Sequence, residues 1–194
     1  MIGKQHNFQS HPTFKRAILI IFIFSSNTLC AQQDKINSLK KQIANTGNDT
    51  AKIILYEHLG EAYREIKRID SAILSYQRAV EINEKYNYSF QQQCWDISAI
   101  DWDLYVTGNY VKSLEYANKA SVLSIKLKDT LRQVATNLVF GHNYRELGDY
   151  QNSLKYFFKA RGILKEYDKS RSPVENPYTI QCIGEVYLKK NRLD

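Results

Sequence analysis

Proline is scarce in this chain, with three residues in 194, and glycine is sparing at eight. So few breakers across a strongly helical pattern argue against one loop-rich domain and for a stacked helical array. Cysteine is equally thin. Beyond Cys30 only Cys94 and Cys182 occur; they fall two repeats apart, too far for Cα atoms to approach within the roughly 7 Å a disulfide needs, and read as small buried hydrophobes. Histidine is down to His58 and His142 after the first 31 residues, and no HExxH, glycine-rich phosphate loop or nucleophile elbow is present. Ser38-Leu39-Lys40-Lys41 fits S-x-x-K without its companion motifs and reads as chance. The sequence therefore implies no enzyme, no cofactor and no metal; Asp96, Asp101 and Asp103 read as solvated or capping acids.

Acid is missing altogether from residues 1–31, where Lys4, Lys15 and Arg16 contribute to a formal charge of +7. Without that segment 24 basic residues face 20 acidic ones, a scattered +4 that does not suggest a nucleic-acid partner. Lys15-Arg16, the apolar run Ala17 to Phe24 and a small-residue stretch to Ala31 have the layout of a signal peptide (1–31), cut after Ala31. The apolar run is far short of the ~20 residues that span a bilayer. Leu29 and Asn27 fit a lipobox at Cys30 poorly.

What is there in plenty is a repeated pattern, clearest in Asn137 to Ala160. Gly141 and Tyr144 mark one face of a first helix, Gly148 the turn, and Ser153, Phe157 and Ala160 a face of the second. A small residue at Gly141 permits close helix approach, and Gly148 can take the left-handed conformation that ends a helix. The same offsets find Gly60, Tyr63, Ala72, Tyr76 and Ala79, with Lys67 at the turn. They find Leu104, Gly108, Ser113 and Ala120, with Asp101 at the small position and Ala117 at the aromatic one. They find Gly184 and Tyr187, with Asn191 at the turn. This pattern resembles the tetratricopeptide repeat, Leu-Gly-x2-Tyr then Ala-x3-Phe, with a surplus over its usual ~34 residues. The fold implied is all-α: a right-handed solenoid of antiparallel helix hairpins behind a short cap helix, Asp34 to Ala44. The divisions expected are 32–50 for cap and loop, then repeats 51–88, 89–129, 130–172 and a partial 177–194. Asp49-Thr50 is placed to cap the first repeat helix and Asp70 the second.

The closing GEVYLKKNRLD parallels Gly60 to Asp70, so Asp194 is expected to cap a helix not in this sequence and Ile183, Val186 and Tyr187 to lie exposed. That predicts the N-terminal portion of a longer product, or self-association through an open C-terminal end.

The resemblance also implies where a partner binds. Tetratricopeptide proteins line their inner groove from the first helix of each repeat. Carried over, this gives Ile54, Glu57, Glu61 and Arg64; Trp95, Ser98, Trp102 and Tyr105; Ala135, Leu138, His142 and Arg145; and Tyr178, Gln181, Glu185 and Leu188. Both tryptophans fall in one set, spaced with Tyr105 along one helix face. Two readings stay open for that stripe: a contact surface flanked by Arg64 and Arg145 to hold a carboxylate or carbonyl, or core in a rotated repeat. Glu57 and Glu61 stand where carboxylate-clamping members carry Lys and Asn, so no chaperone-tail clamp is expected; the ligand shape implied is an extended peptide or amphipathic helix. Ala31-Gln32-Gln33, the segment Lys35 to Ile43 (KINSLKKQI) and Asp49-Thr50 together resemble exported input segments of bacterial sensor histidine kinases. The function expected is a periplasm-facing protein-interaction module, sensor or scaffold part of a signalling protein; alternatively a free-standing periplasmic adaptor of envelope machinery. Membrane contact is expected only through an uncleaved signal or a segment beyond this sequence.

Overall fold

The computed structural model describes residues 31–168 and 177–191. The signal peptide but for Ala31, Cys30, most of the SRSPVENP insert and Asp194 lie outside them. Eight helices follow one another and no strand occurs among the described residues. They are α1 (31–45), α2 (Asp49–Glu65), α3 (Ile69–Tyr86), α4 (Phe90–Val106), α5 (Tyr110–Lys126), α6 (Thr130–Glu146), α7 (Tyr150–Asp168) and α8 (Pro177–Lys190). The pairs α2/α3, α4/α5 and α6/α7 form hairpins that stack in order, and α8 packs on α7. No described helix is long and apolar enough to cross a membrane.

The turns repeat one geometry. After α2 the Lys67 and Arg68 amides bond back to the Arg64 and Tyr63 carbonyls. After α4 Gly108 and Asn109 do the same to Tyr105 and Leu104, and after α6 Gly148 and Asp149 to Arg145 and Tyr144. This closure needs a left-handed residue, and φ is +81° at Gly108 and +79° at Gly148, as their spacing implies. Lys67 meets the same demand at φ +61° without glycine's freedom. Two expected caps shift. Asn48, not Asp49, accepts from the Thr50 and Ala51 amides at 3.0 and 3.3 Å, because Asn48 has the extended backbone of an N-cap whereas Asp49 is already the first residue of the helix. Asp70 lies inside α3, whose N-cap Arg68 makes no side-chain bond; there the carboxylate faces the helix dipole instead.

Packing explains the repeat residues. A Cβ at Gly60 would come within 2.7 Å of the Tyr76 ring, and one at Gly141 within 2.5 Å of Phe157. Each small residue is the seat of an aromatic from the second helix. Ala72, Ala79, Ala120 and Ala160 are fully buried where helices cross, with Tyr63 and Leu104 beside them. Tyr144 stacks on Tyr156 with ring centroids 5.5 Å apart. In the middle hairpin both halves of the seat change, Asp101 for glycine and Ala117 for the ring, and both are buried. Ser113 and Ser153 hold the crossing by donating to the Asp101 and Gly141 carbonyls, 2.8 Å each. Asn143 of α6 then donates to Ser113 Oγ at 2.8 Å, linking the second and third hairpins.

The cap helix buries Ile36 and Leu39 in the large cluster that runs through α2, α3 and α4. At the other end the expected exposure holds only for Tyr187. Ile183 and Val186 are buried against Phe157, Leu154 and Tyr150, since α7 covers that face of α8. Gly184 has no atom within 4 Å of a Cβ position, so its seat holds no ring.

Candidate functional site

Two adjoining cavities lie where the first helices of the hairpins come together. One, about 260 Å³, is lined by Glu57, Glu61 and Arg64 of α2, Tyr76 of α3, Gln92, Trp95, Asp96, Ser98, Ala99 and Trp102 of α4, and Arg132 of α6. The other, about 300 Å³, runs from Ser98, Asp101 and Trp102 past Arg132, Ala135, Thr136, Leu138 and Val139 to His142 and Tyr178. Trp102 is the wall between them. It is 43% exposed and Trp95 56%, so the stripe faces the groove and not the core.

A ladder of rings leads away from Trp102. Tyr105 lies 5.3 Å from it, His142 5.5 Å from Tyr105, and Phe157 5.0 Å from His142, edge to face. His142 is buried, with Nε2 at 2.9 Å from the Tyr178 hydroxyl and Cys182 Sγ at 4.0 Å. Burial and the Arg145 charge push the imidazole down to about 4, and burial raises the Cys182 thiol. A weak base beside a neutral thiol is not an activated nucleophile.

The two arginines expected to flank the stripe are already engaged. Arg64 Nε donates to both Asp103 carboxylate oxygens, at 2.8 and 3.0 Å, and its Nη2 to the Ala99 carbonyl at 2.9 Å, over the Tyr76 ring. Arg145 lines neither cavity. It pairs with Glu146 and with Glu185, and Lys189 with Glu146, so it is a strut from α6 to α8 instead of an anion-holding flank. A carboxylate arriving at either guanidinium would displace a carboxylate of the chain.

The three aspartates correct their solvated reading. Asp96, Asp101 and Asp103 are each 3% exposed or less. Burial pushes Asp96 up to about 8, helped by the Glu57 charge. Burial also raises Asp101 well above the carboxylate range, and it raises Asp103 despite Arg64. Reading the repeat offsets one position past Trp95 would have flagged Asp96: it occupies the register of Thr136 and Thr179, both buried. Arg132 was missed as well; its guanidinium lies 3.9 Å over the Trp95 ring. No cluster of three or more His, Cys, Asp or Glu able to hold a metal occurs among the described residues.

Residues 54–86, the first hairpin but for its opening turn, match the family described as Tetratricopeptide repeat. The fold is that of a tetratricopeptide-repeat-like solenoid. Solved structures of the same fold include the apo form of RapI, with a TM-score of 0.73 at 16% identity over 89% of this chain and 61% of that one. A Rap protein complexed with Competence and Sporulation Factor gives 0.62 at 19% identity over 88% and 48%. A putative kinesin light chain from Podosopora anserina with nearly identical TPR-like repeats gives 0.68 at 13% identity over 95% and 90%. This solenoid thus spans less than two thirds of either Rap chain. No curated protein matches it.

Proposed function

We propose that this solenoid is a protein-interaction module that takes an extended peptide or an amphipathic helix across α4. The observation that carries this reading is the exposure of both tryptophans of the chain on one groove, each beside a cavity. Large aromatics standing open in a concave surface are what binding hot spots are made of. A structural neighbour solved with a competence and sporulation factor supports the view that such a stack can accept a partner. The test is selection of displayed linear peptides on the full chain, repeated with Trp102→Ala and Trp95→Ala. Loss of capture with the melting temperature kept supports the groove; undiminished capture, or a fall of several degrees, overturns it.

We propose further that the module works outside the cytoplasm as the input part of a signalling protein. Lys15-Arg16 with the apolar run behind it, and the segment Lys35 to Ile43, support this. N-terminal sequencing of the chain recovered from a periplasmic fraction should begin at Gln32; an intact Met1 in the cytosol overturns export. Sequencing the transcript past Asp194 separates the roles. A frame continuing into a membrane span and a kinase-like region is expected, and an immediate stop would favour the free-standing adaptor.

A further inference from the structure

Three buried oxygens in the smaller cavity lack a hydrogen-bond partner, although the Gln92 side chain also bonds the Glu57 carboxyl. Asp96 is 2% exposed, and its Oδ2 has no hydrogen-bond partner; neither has Glu57 Oε1 or Ser98 Oγ. Ser98 lies beside the Cys94 thiol, which already donates to the Ala120 carbonyl. All three oxygens belong to residues lining the same space, two on α4 and one across from it on α2. A buried carboxylate left without a donor is costly, and native structures keep few of them.

The cations nearby do not fill the gap. Arg64 is held by Asp103 and the Ala99 carbonyl, and the Arg132 guanidinium is drawn over the Trp95 ring at 3.9 Å. The missing partner therefore comes from outside, carries positive charge and donates several hydrogen bonds. A primary ammonium has three donors on one small centre, matching three separate oxygens; a guanidinium's planar fork suits a coplanar carboxylate instead. Trp95 and Trp102 supply aromatic walls to such a group. The volume, about 260 Å³, falls below the usual range for small-molecule pockets and suits one side chain or chain end.

We propose that this cavity is a subsite for a primary ammonium group, presented by a lysine side chain or by the amino terminus of the bound peptide. The inference rests on the groove reading above and specifies its ligand. Without ligand, the raised protonation of Asp96 and of Glu57 keeps the empty pocket tolerable.

The experiment titrates the full chain with n-butylammonium chloride and follows tryptophan emission, which arises only from the groove, with n-butanol as the uncharged control. Saturable change with the amine alone is expected, weakened about tenfold or more by Asp96→Asn and by Glu57→Gln. Equal responses to amine and alcohol, or unchanged affinity in both variants, overturn the subsite. Asp96→Asn removes an unpartnered acid, so its melting temperature should not fall; if it does, the half-buried Glu57→Gln decides. Nα-acetyl-lysine amide against norleucine amide assigns the source, side chain or terminus, and failure of both to bind overturns the peptide origin. Peptides captured through Trp102 but indifferent to Asp96→Asn would sink the subsite and leave the groove. Amine binding lost in Asp96→Asn, with no Trp102-dependent peptide, would do the reverse.

Discussion

The second and third hairpins share turns and register, yet they are locked differently. Between α6 and α7 the lock is apolar: Gly141 receives the Phe157 ring, itself fully buried and backed by Cys182, Ile183 and Val186. Between α4 and α5 it is Asp101 against Ala117, with Asp96 and Asp103 buried on the same helix. The outer hairpin spends its inner positions on packing, while the middle one keeps buried acids and turns its tryptophans outward. Its stability is drawn from neighbours, through Arg64 to Asp103 and Asn143 to Ser113. In a solenoid such borrowing is possible because interface terms add to each repeat's own.

The largest test of that contrast is Phe157→Ala. It should cost about 3 to 5 kcal/mol in urea unfolding, and more than any single change at Ala117 or Asp101. Gly141→Ala should cost about 1 to 3 kcal/mol, since the ring has no room to retreat, and Phe157→Leu in the same chain should recover part of it. Transplanting the apolar lock, Asp101→Gly with Ala117→Phe, should be better tolerated than Ala117→Phe alone. Additive losses in that cycle would show the two seats are not equivalent.

A pH series separates the hairpins by sign. Asp96 titrates near 8 when folded against 3.8 when unfolded, so its acid form is favoured by folding, and stability should fall as pH rises from about 4 toward 8. His142 is pushed down to about 4 from 6.5, so its contribution is present above 6.5 and is lost as pH falls toward 4. Between pH 6.5 and 8 the melting temperature should therefore decline, and Asp96→Asn should flatten the decline without abolishing it, because Asp101 is raised as well. A wild-type profile level across that window would remove the acid account of the middle hairpin. The smallest effect is at a turn: Lys67→Gly, at φ +61°, should gain on the order of 0.5 to 1 kcal/mol, where Gly148→Ala should lose as much.

These residues also show what the sequence could and could not disclose. Periodicity marked the turns at Gly108 and Gly148, because glycine takes the left-handed conformation that the closure of each hairpin requires. The repeat register brings part of the expected set together: Glu57, Glu61, Arg64, Trp95, Ser98, Trp102 and His142 line the two cavities, Tyr105 backs Trp102, and Arg145 lies outside both. The buried aspartates were not, since an acid defaults to solvent unless its neighbours are known. Nor was the engagement of Arg64 and Arg145, whose partners Asp103 and Glu185 are about one repeat further along the chain. Ile183 and Val186 were misplaced because the face that α7 covers was taken for an open end.

The relay from Asn143 through Ser113 to the Asp101 carbonyl has a mechanical meaning. Sliding α6 past the middle hairpin would break at least the 2.8 Å bond from Asn143 to Ser113, both of them fully buried. The second and third hairpins are therefore pinned at a single serine, whose hydroxyl ties α6 to the backbone of α4 through α5.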